Sequence, residues 1–323
     1  MDHPYTAVSA MAQQAIHFLL LPEFSMMGLL SAIEPLRVAN RFRPESYHWH
    51  LLSQNGDSVT ASNGMSIAVD GDLQQAANAD MLFVVAGFNP LATSSDPLKH
   101  ALKTLHKQQA LLGGIDTGCF LLADAGLLDG HRFTLHWEAI SAFEERYPAL
   151  TPTQELYEID ECRMSSAGGT ASIDMMLELI RRQHGDALAM QVSEQFVLGR
   201  IRDKSDHQRM QVAARYEIHN KKLIQVISAM ERNLEAPLTV DELADLACVT
   251  RRQLERLFKS LLKTTPSLFY LNLRLERARQ LLRQTGLGVM EVCVACGFES
   301  ATYFARAYRH RFGTSPSSDR TNT

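Results

Sequence analysis

The chain has 323 residues, of which 46% are hydrophobic and 21% charged, the size and make-up of a soluble globular protein with two cores. Its longest apolar runs, Phe18–Leu21 and Met81–Ala86 among them, fall far short of the roughly 18 residues that span a bilayer, and no basic segment precedes an apolar one as in a signal peptide. The five cysteines (Cys119, Cys162, Cys248, Cys293, Cys296) are odd in number and scattered, which argues against a disulfide framework and for a reducing cytoplasm. The net charge of −4 is uneven: Ala236–Thr323 holds 13 Lys and Arg against 8 Asp and Glu, a net of +5, so the remainder carries −9. A polyanion is therefore the expected partner of the C-terminal segment alone.

In chain order, residues 1–12 read as a disordered start. Strand-like apolar runs then alternate with amphipathic stretches. Ile16–Leu21, His48–Ser53, Met81–Ala86 and Leu111–Ile115 are predicted strands. Met26–Asn40, Pro97–Gln109, a segment opening at Cys119–Ala125, Ala139–Tyr147, Ile173–His184 and Gln191–Ile201 are predicted helices. This alternation predicts an α/β domain over 13–202, a parallel sheet with helices on both faces. The polar stretch 203–219 is the predicted linker, and 220–320 the second, all-α domain.

In that second domain Thr239 can cap a short helix, with Glu242 completing a capping box and Leu243, Leu246 and Ala247 as its apolar stripe. After a tight turn Thr250 opens another helix, Arg251–Leu262, with Gln253 at the matching box position. Leu254, Leu257, Phe258 and Leu261 form its buried side, and Arg251, Arg252, Glu255, Arg256 and Lys259 its charged side. About fifty residues on, Val289–Cys296, Gly297 and a Ser300-capped helix repeat the layout, with Tyr303, Phe304, Tyr308 and Phe312 as core and Arg306, Arg309 and Arg311 as basic residues. Between the units, Thr265 caps and Pro266 opens a helix ending near Gln284, roughly 27 Å long. Such a spacer could hold two reading helices about one duplex turn apart, roughly 34 Å. Arginine's fork matches guanine O6 and N7, and a helix fits the major groove. One such helix alone is equally a solvated face on a bundle; two matching units in the basic segment favour double-stranded DNA. Cys293 and Cys296 lack a second ligand pair for zinc and read as core residues.

These motifs resemble the AraC/XylS family of regulators: residues 238–244 (Leu-Thr-Val-Asp-Glu-Leu-Ala), 250–259, 266–278 and 296–309 carry the likeness. What the resemblance implies is base contact from Arg252, Glu255 and Arg256 in the first unit and from Ala301, Thr302 and Arg306 in the second. Ala301 can at most touch a thymine methyl, so more readout is expected from the first unit.

In the N-terminal half, Gly113-Gly114-Ile115-Asp116-Thr117-Gly118 is a strand–turn–helix with the glycines of a sharp elbow, and Thr134-Leu135-His136-Trp137 can bring a histidine to it. With residues 121–130, Phe24–Gly28, Glu34–Asn40 and Ser166–Thr170, this stretch resembles the class I glutamine-amidotransferase-like (ThiJ/PfpI) domain, in the subgroup fused to AraC-type readers. The resemblance implies a flavodoxin-like sheet. Active members place cysteine on the elbow; here Asp116 stands there, Cys119 lies a turn further on, and Ser25 occupies the place of the supporting acid, with Glu23 near it. A carboxylate is a poor nucleophile, so no catalytic residue, metal or cofactor is expected.

A pocket without its nucleophile can still bind a small effector. The subgroup implies control of amino-acid or quaternary-amine catabolism, with glycine betaine, dimethylglycine, carnitine or a basic amino acid as inducer. Asp116 would attract a cation, Phe24 or Trp137 could add cation–π contacts of roughly 0.5–2 kcal/mol each, and Ser25, Thr117 and His136 would complete the lining. Two other roles stay open: Asp116 as a helix cap, and His136 as a packed core residue. The expected protein is an effector-responsive activator, dimeric through the N-terminal domain and acting with RNA polymerase. The alternatives are a bifunctional amidase or glyoxalase-type enzyme carrying a DNA-binding domain, and a constitutive architectural DNA binder.

Overall fold

The computed structural model describes residues 14–77, 79–209 and 212–321, so the predicted disordered start at 1–12 lies outside the described residues. The chain divides into two compact units, Met1–Gln208 and Arg209–Thr323.

Among the described residues the first unit has nine strands: β1 (Gln14–Leu20), β2 (Tyr47–Ser53), β3 (Val59–Thr60), β4 (Ser66–Ile67), β5 (Gly71–Asp72), β6 (Met81–Val85), β7 (Leu111–Ile115), β8 (Tyr157–Ile159) and β9 (Arg163–Ser166). Seven of them form one sheet in the order β5-β2-β1-β6-β7-β9-β8, while β3 and β4 pair separately. Every pairing in the large sheet is parallel except β8 with β9. Helices α1 (Met26–Phe42), α2 (Asp96–Lys107), α3 (Cys119–Asp124), α4 (Ile140–Arg146), α5 (Ala171–His184) and α6 (Asp186–Gln195) complete it. The predicted α/β class is the observed one.

The central strands are apolar throughout because both faces are covered, as parallel sheets require. Ile16, Phe18, Leu20, Phe83, Val85 and Ile115 pack under α1 and α5 in one core cluster. Leu19, Leu82 and Val84 alternate to the other face and are fully buried as well, as are Leu98, Leu102 and Leu105 of α2. Truncating one of these large side chains, such as Phe83, costs about 3–5 kcal/mol.

Two predicted segments differ. The helix expected over Gln191–Ile201 is α6, which begins at Asp186 directly after Gly185 (φ 88°) and ends at Gln195. Val197 takes a left-handed φ of 54°, and the chain beyond it turns back so that Leu198 and Ile201 pack on the core. The polar stretch 203–219 is not a free linker but is shared between the units. Lys204 accepts at its carbonyl from the Leu156 amide (2.9 Å) and its ammonium meets Glu158 at 3.1 Å. The Gln208 amide group donates to Thr134 Oγ1, the Leu135 carbonyl and the Glu155 carbonyl at 2.8–3.1 Å. Val212 and Ile218, in contrast, belong to the core of the second unit, and Arg215 pairs bidentately with Glu231 there. Polarity in this stretch reflects side chains committed to hydrogen bonds, which composition alone reads as solvation.

The second unit is all helical: α7 (Val212–Arg215), α8 (Lys221–Arg232), α9 (Val240–Leu246), α10 (Arg251–Leu257), α11 (Pro266–Gln284), α12 (Val289–Ala295), α13 (Ala301–Phe312) and α14 (Pro316–Thr321). Leu223, Val226, Ile227 and Met230 of α8 pack with Leu243, Leu254, Phe258 and Tyr270 into its core. Among the described residues no helix is long and apolar enough to cross a membrane.

Candidate DNA interface and candidate effector site

The two helix-turn-helix units are set by local chemistry. Thr239 Oγ1 accepts from the Glu242 amide (3.2 Å) while Glu242 accepts from the Thr239 amide (2.7 Å), a complete capping box. Thr250 and Gln253 repeat it at 3.3 and 2.9 Å. In the second unit Ser300 caps α13 by accepting from the Tyr303 amide at 3.3 Å. Each unit's turn needs one left-handed residue. Gly297 supplies it in the second (φ 69°), where a Cβ would stand 2.5 Å from the Glu235 carbonyl oxygen. Cys248, with φ 49° and no glycine's freedom, supplies it in the first.

The α10 helix does not run regularly to Leu262: Phe258–Leu262 is a π turn. Its wider winding carries Leu261 off the buried side, so that residue is 46% exposed where it was expected in the core, while Leu254 and Phe258 are fully buried. Leu246 and Tyr303, also expected inside, are 42% and 44% exposed on the rims of short helices. Cys293 and Cys296 are buried.

Arg252, Glu255 and Arg256 are exposed on α10 and share one face by their three- and four-residue spacing, and Lys259 is exposed on the π turn that follows. Arg251 is exposed too, but its guanidinium is held within the unit by Glu255 (3.1 Å) and Asp241 (3.5 Å). On α13, Thr302 and Arg306 are exposed and Ala301 half-buried, and the Arg306 guanidinium lies 5.8 Å from the Tyr303 ring centre. Arg309 is exposed, whereas Arg311 is paired with Glu276 at 3.0 Å.

Pattern reading missed the residues that hold the second unit in place. Arg274 of α11 donates to the carbonyls of Cys296 and Gly297 (2.8 and 2.5 Å), and its guanidinium stacks 4.0 Å from the Phe298 ring centre. Asp319 is 2% exposed and receives Arg279, Arg283 and the Tyr308 hydroxyl at 2.6–2.9 Å. These contacts together hold its carboxyl below the usual carboxylate range despite burial. Neither stands in a sequence pattern that marks it.

In the first unit, β7 ends in the predicted elbow. Asp116 sits at its tip with φ 63°, its amide donating to the Ser166 carbonyl (3.1 Å) and its carbonyl accepting from the His136 amide (3.2 Å). The turn is tight enough that a Cβ on Gly118 would stand 2.0 Å from the Val84 carbonyl oxygen. The N-cap position of α3 is Gly118, two residues beyond Asp116, so Asp116 is not that helix's cap.

Burial drives the Asp116 carboxyl up to about 7, against a hydrogen bond from Ser25 that lowers it and with the Glu138 charge adding to the rise. Burial also drives His136 down to about 4, so its imidazole is neutral at physiological pH. Ser25, Asp116, His136 and Trp137 are each only partly buried, and the His136 and Trp137 ring centres are 5.7 Å apart. Glu138, also partly buried, was not anticipated; only its place two residues after His136 hinted at it. Gly168 (φ 78°) closes over the carboxyl, since a Cβ there would meet Asp116 Oδ2 at 2.6 Å.

Two expected lining residues behave otherwise. Phe24 is fully buried in the core cluster, so its ring offers no open face to a cation. Thr117 is buried with its hydroxyl donating to the Gly87 carbonyl at 2.6 Å, a contact that fastens the elbow. Cys119 is also fully buried, its thiol donating to the Thr134 carbonyl at 3.3 Å and pushed by burial up to about 12. It has neither the ionisation nor the access of a nucleophile.

With this geometry, the relatives of the chain become informative. A helix-turn-helix domain model matches residues 243–322, and the DJ-1/PfpI family model matches residues 15–182. The HTH-type transcriptional regulator CdhR of Pseudomonas aeruginosa is 62% identical over 307 residues, 95% of this chain and 91% of that protein. The chain belongs to the AraC family of transcriptional regulators, with a DJ-1/PfpI domain preceding its DNA-binding domain. A second family member, the HTH-type transcriptional regulator GbdR of P. aeruginosa, is 43% identical over 95% of this chain and 84% of its own length. Among solved structures, an AraC family transcriptional regulator from Pseudomonas putida superposes with a TM-score of 0.53 at 29% identity, covering 57% of this chain and 99% of that one. This AraC-family chain is thus a DNA-binding regulator on an enzyme-like fold, and the elbow without a nucleophile agrees with that role.

Proposed function

We propose that the protein senses a small cationic metabolite at the Asp116 elbow and regulates transcription accordingly. The single observation that carries this reading is the carboxyl of Asp116, placed at the tip of the elbow with Glu138 close enough to raise its pKa. A carboxyl whose ionisation burial opposes gains from a positive charge set beside it. Neutral His136 adds no competing charge, and Trp137 beside it is the proposed aromatic contact. Ser25, Asp116, His136, Trp137 and Glu138 form the site in this proposal. Glycine betaine, dimethylglycine, carnitine and a basic amino acid such as arginine are the candidate effectors.

On the DNA side, Arg252, Glu255 and Arg256 of α10, Lys259 of the π turn after it, and Ala301, Thr302 and Arg306 of α13 are the proposed groove contacts, with Arg251 a backbone or ordering residue. The protein acts as an activator, as a homodimer joined through its first unit, with RNA polymerase as partner and the cytoplasm as its compartment.

A thermal-shift screen of the full chain against these four compounds tests the sensor reading, because a ligand that binds only the native state raises its melting temperature. The expected result is a rise with at least one compound and a matching change in binding to promoter DNA. A flat response to all four, with DNA binding indifferent to each, sinks the sensor and leaves a constitutive DNA binder.

A further inference from the structure

Away from the elbow, three side chains stand in a line that the regulator reading does not use. His131 lies between the other two. Its Nδ1 is 2.9 Å from Asp160 Oδ2, and its Nε2 is 3.9 Å from Cys162 Sγ. Asp160 and Cys162 flank the turn between β8 and β9, and His131 follows Gly130 in the loop after α3. We infer that Cys162, His131 and Asp160 form an activated-thiol site, at which a hydroperoxide oxidises Cys162 to a sulfenic acid.

The roles follow from the geometry. Asp160 accepts the Nδ1 proton and so fixes the tautomer in which Nε2 presents its lone pair to the thiol. The same contact holds the Asp160 carboxyl below the usual carboxylate range, as a persistent acceptor. A nucleophile within reach of a base that a third group orients is the general arrangement for activating a thiol, and the sulfur–nitrogen separation is long, as in unliganded sites. Two guanidinium groups lie nearby: the buried Arg163 donates to the Cys162 carbonyl at 2.8 Å, and Arg132, paired with Glu158 at 2.7 Å, also acts on Asp160.

Position singles this cysteine out. Cys119, Cys293 and Cys296 are buried, and Cys248, though the most exposed, has no histidine hydrogen-bonded to its sulfur among the described residues. Cys162 is half-buried, and its backbone is pinned by the Leu112 amide at 3.2 Å.

In the reaction, His131 Nε2 takes the thiol proton and the sulfur attacks the terminal oxygen of the hydroperoxide. The S–O bond forms as the O–O bond breaks, and the departing alkoxide or hydroxide takes the proton back from the imidazolium. Sulfur loses two electrons and the peroxide gains them, so Cys162 becomes the sulfenic acid and the hydroperoxide leaves as an alcohol or water.

The test treats the full chain with hydrogen peroxide, traps sulfenic acid with dimedone, and follows each cysteine peptide by mass spectrometry. Cys162 is expected to label at least about tenfold faster than the more exposed Cys248. His131→Asn should remove most of that advantage and Asp160→Asn part of it. Labelling of Cys248 at an equal or faster rate in the wild-type chain would overturn the inference, and so would an unchanged Cys162 rate in a folded His131→Asn protein. Should His131→Asn fail to fold, the wild-type ratio and the Asp160→Asn rate decide between the two outcomes. Neither readout depends on an effector binding at Asp116.

Discussion

The His136 amide donates to the Asp116 carbonyl at 3.2 Å, and that bond joins the elbow to a segment anchored at its other end by Gln208. Next to His136, Leu135 and Thr134 both accept from the Gln208 side chain, while the Thr134 amide donates to the Ser165 hydroxyl and its carbonyl accepts from the Cys119 thiol. Gln208 is the last residue of the first unit. The elbow and the end of the first unit are thus tied to one three-residue stretch.

Replacing Gln208 with Ala should loosen this stretch without unfolding the unit. Thr134 Oγ1 keeps its own bonds to the Thr153 and Glu155 carbonyls, while the Leu135 carbonyl loses its donor. The expected cost is about 1–2 kcal/mol, the penalty of a buried unpaired carbonyl. Amide hydrogen exchange is expected to quicken in 133–136 and 203–208 and to stay unchanged in α1 and α5. Unchanged exchange in both segments would show that Gln208 anchors nothing.

The Asp116 carboxyl gives stability a pH dependence of known sign. Its folded pKa, about 7, lies above the ordinary value of 3.8, so the contribution is full below pH 4 and is lost as the pH rises toward and through 7. A tenfold difference in proton affinity between the folded and unfolded chain is worth about 1.4 kcal/mol, so a few kcal/mol are at stake. Asp116→Asn removes the ionisation, so the variant should melt higher than wild type at pH 8 and by a smaller margin at pH 5. A variant that melts lower at pH 8 than at pH 5, relative to wild type, reverses the sign and refutes the assignment.

Cys248→Gly is expected to stabilise the second unit by about 1 kcal/mol, because the left-handed φ of 49° penalises any Cβ. The residue is exposed, so little packing is lost. A lowered melting temperature would show that Cys248 contributes a contact worth more than the strain.

Arg256→Ala and Arg274→Ala should separate readout from framework. The first leaves thermal stability unchanged and costs about 1–3 kcal/mol of specific binding, with relaxed preference at one base pair. The second removes both donors from the Cys296 and Gly297 carbonyls and the stack on Phe298, so melting falls along with DNA affinity. Equal weakening of Arg256→Ala on specific and random duplexes would contradict base contact there.

Much of this was legible in the sequence because it depends on local chemistry. The capping boxes at Thr239 and Thr250, the Pro266 helix start and the elbow at Asp116 are each written within a few adjacent residues. What was not legible depends on partners far away in the chain. Gln208 looked like linker because its acceptors lie 53 to 74 residues earlier. Arg274 and Asp319 gave no local signal because their partners, the turn at Cys296–Gly297 for one and side chains of α11 and α13 for the other, lie elsewhere in the chain. Phe24 looked like a lining aromatic until the sheet enclosed it. Leu261 is the opposite case, a local pattern overridden when a π turn replaced the expected α-helical winding.

The most direct test of the account is calorimetric titration of the full chain with glycine betaine, dimethylglycine, carnitine and arginine at pH 6 and pH 8, alongside Asp116→Asn. With a carboxyl that ionises near pH 7, the account predicts that at least one compound binds, about tenfold more tightly at pH 8 than at pH 6, and that Asp116→Asn abolishes both the tight binding and its pH dependence. Binding that is insensitive to pH and retained in Asp116→Asn, or no binding by any of the four, would contradict it.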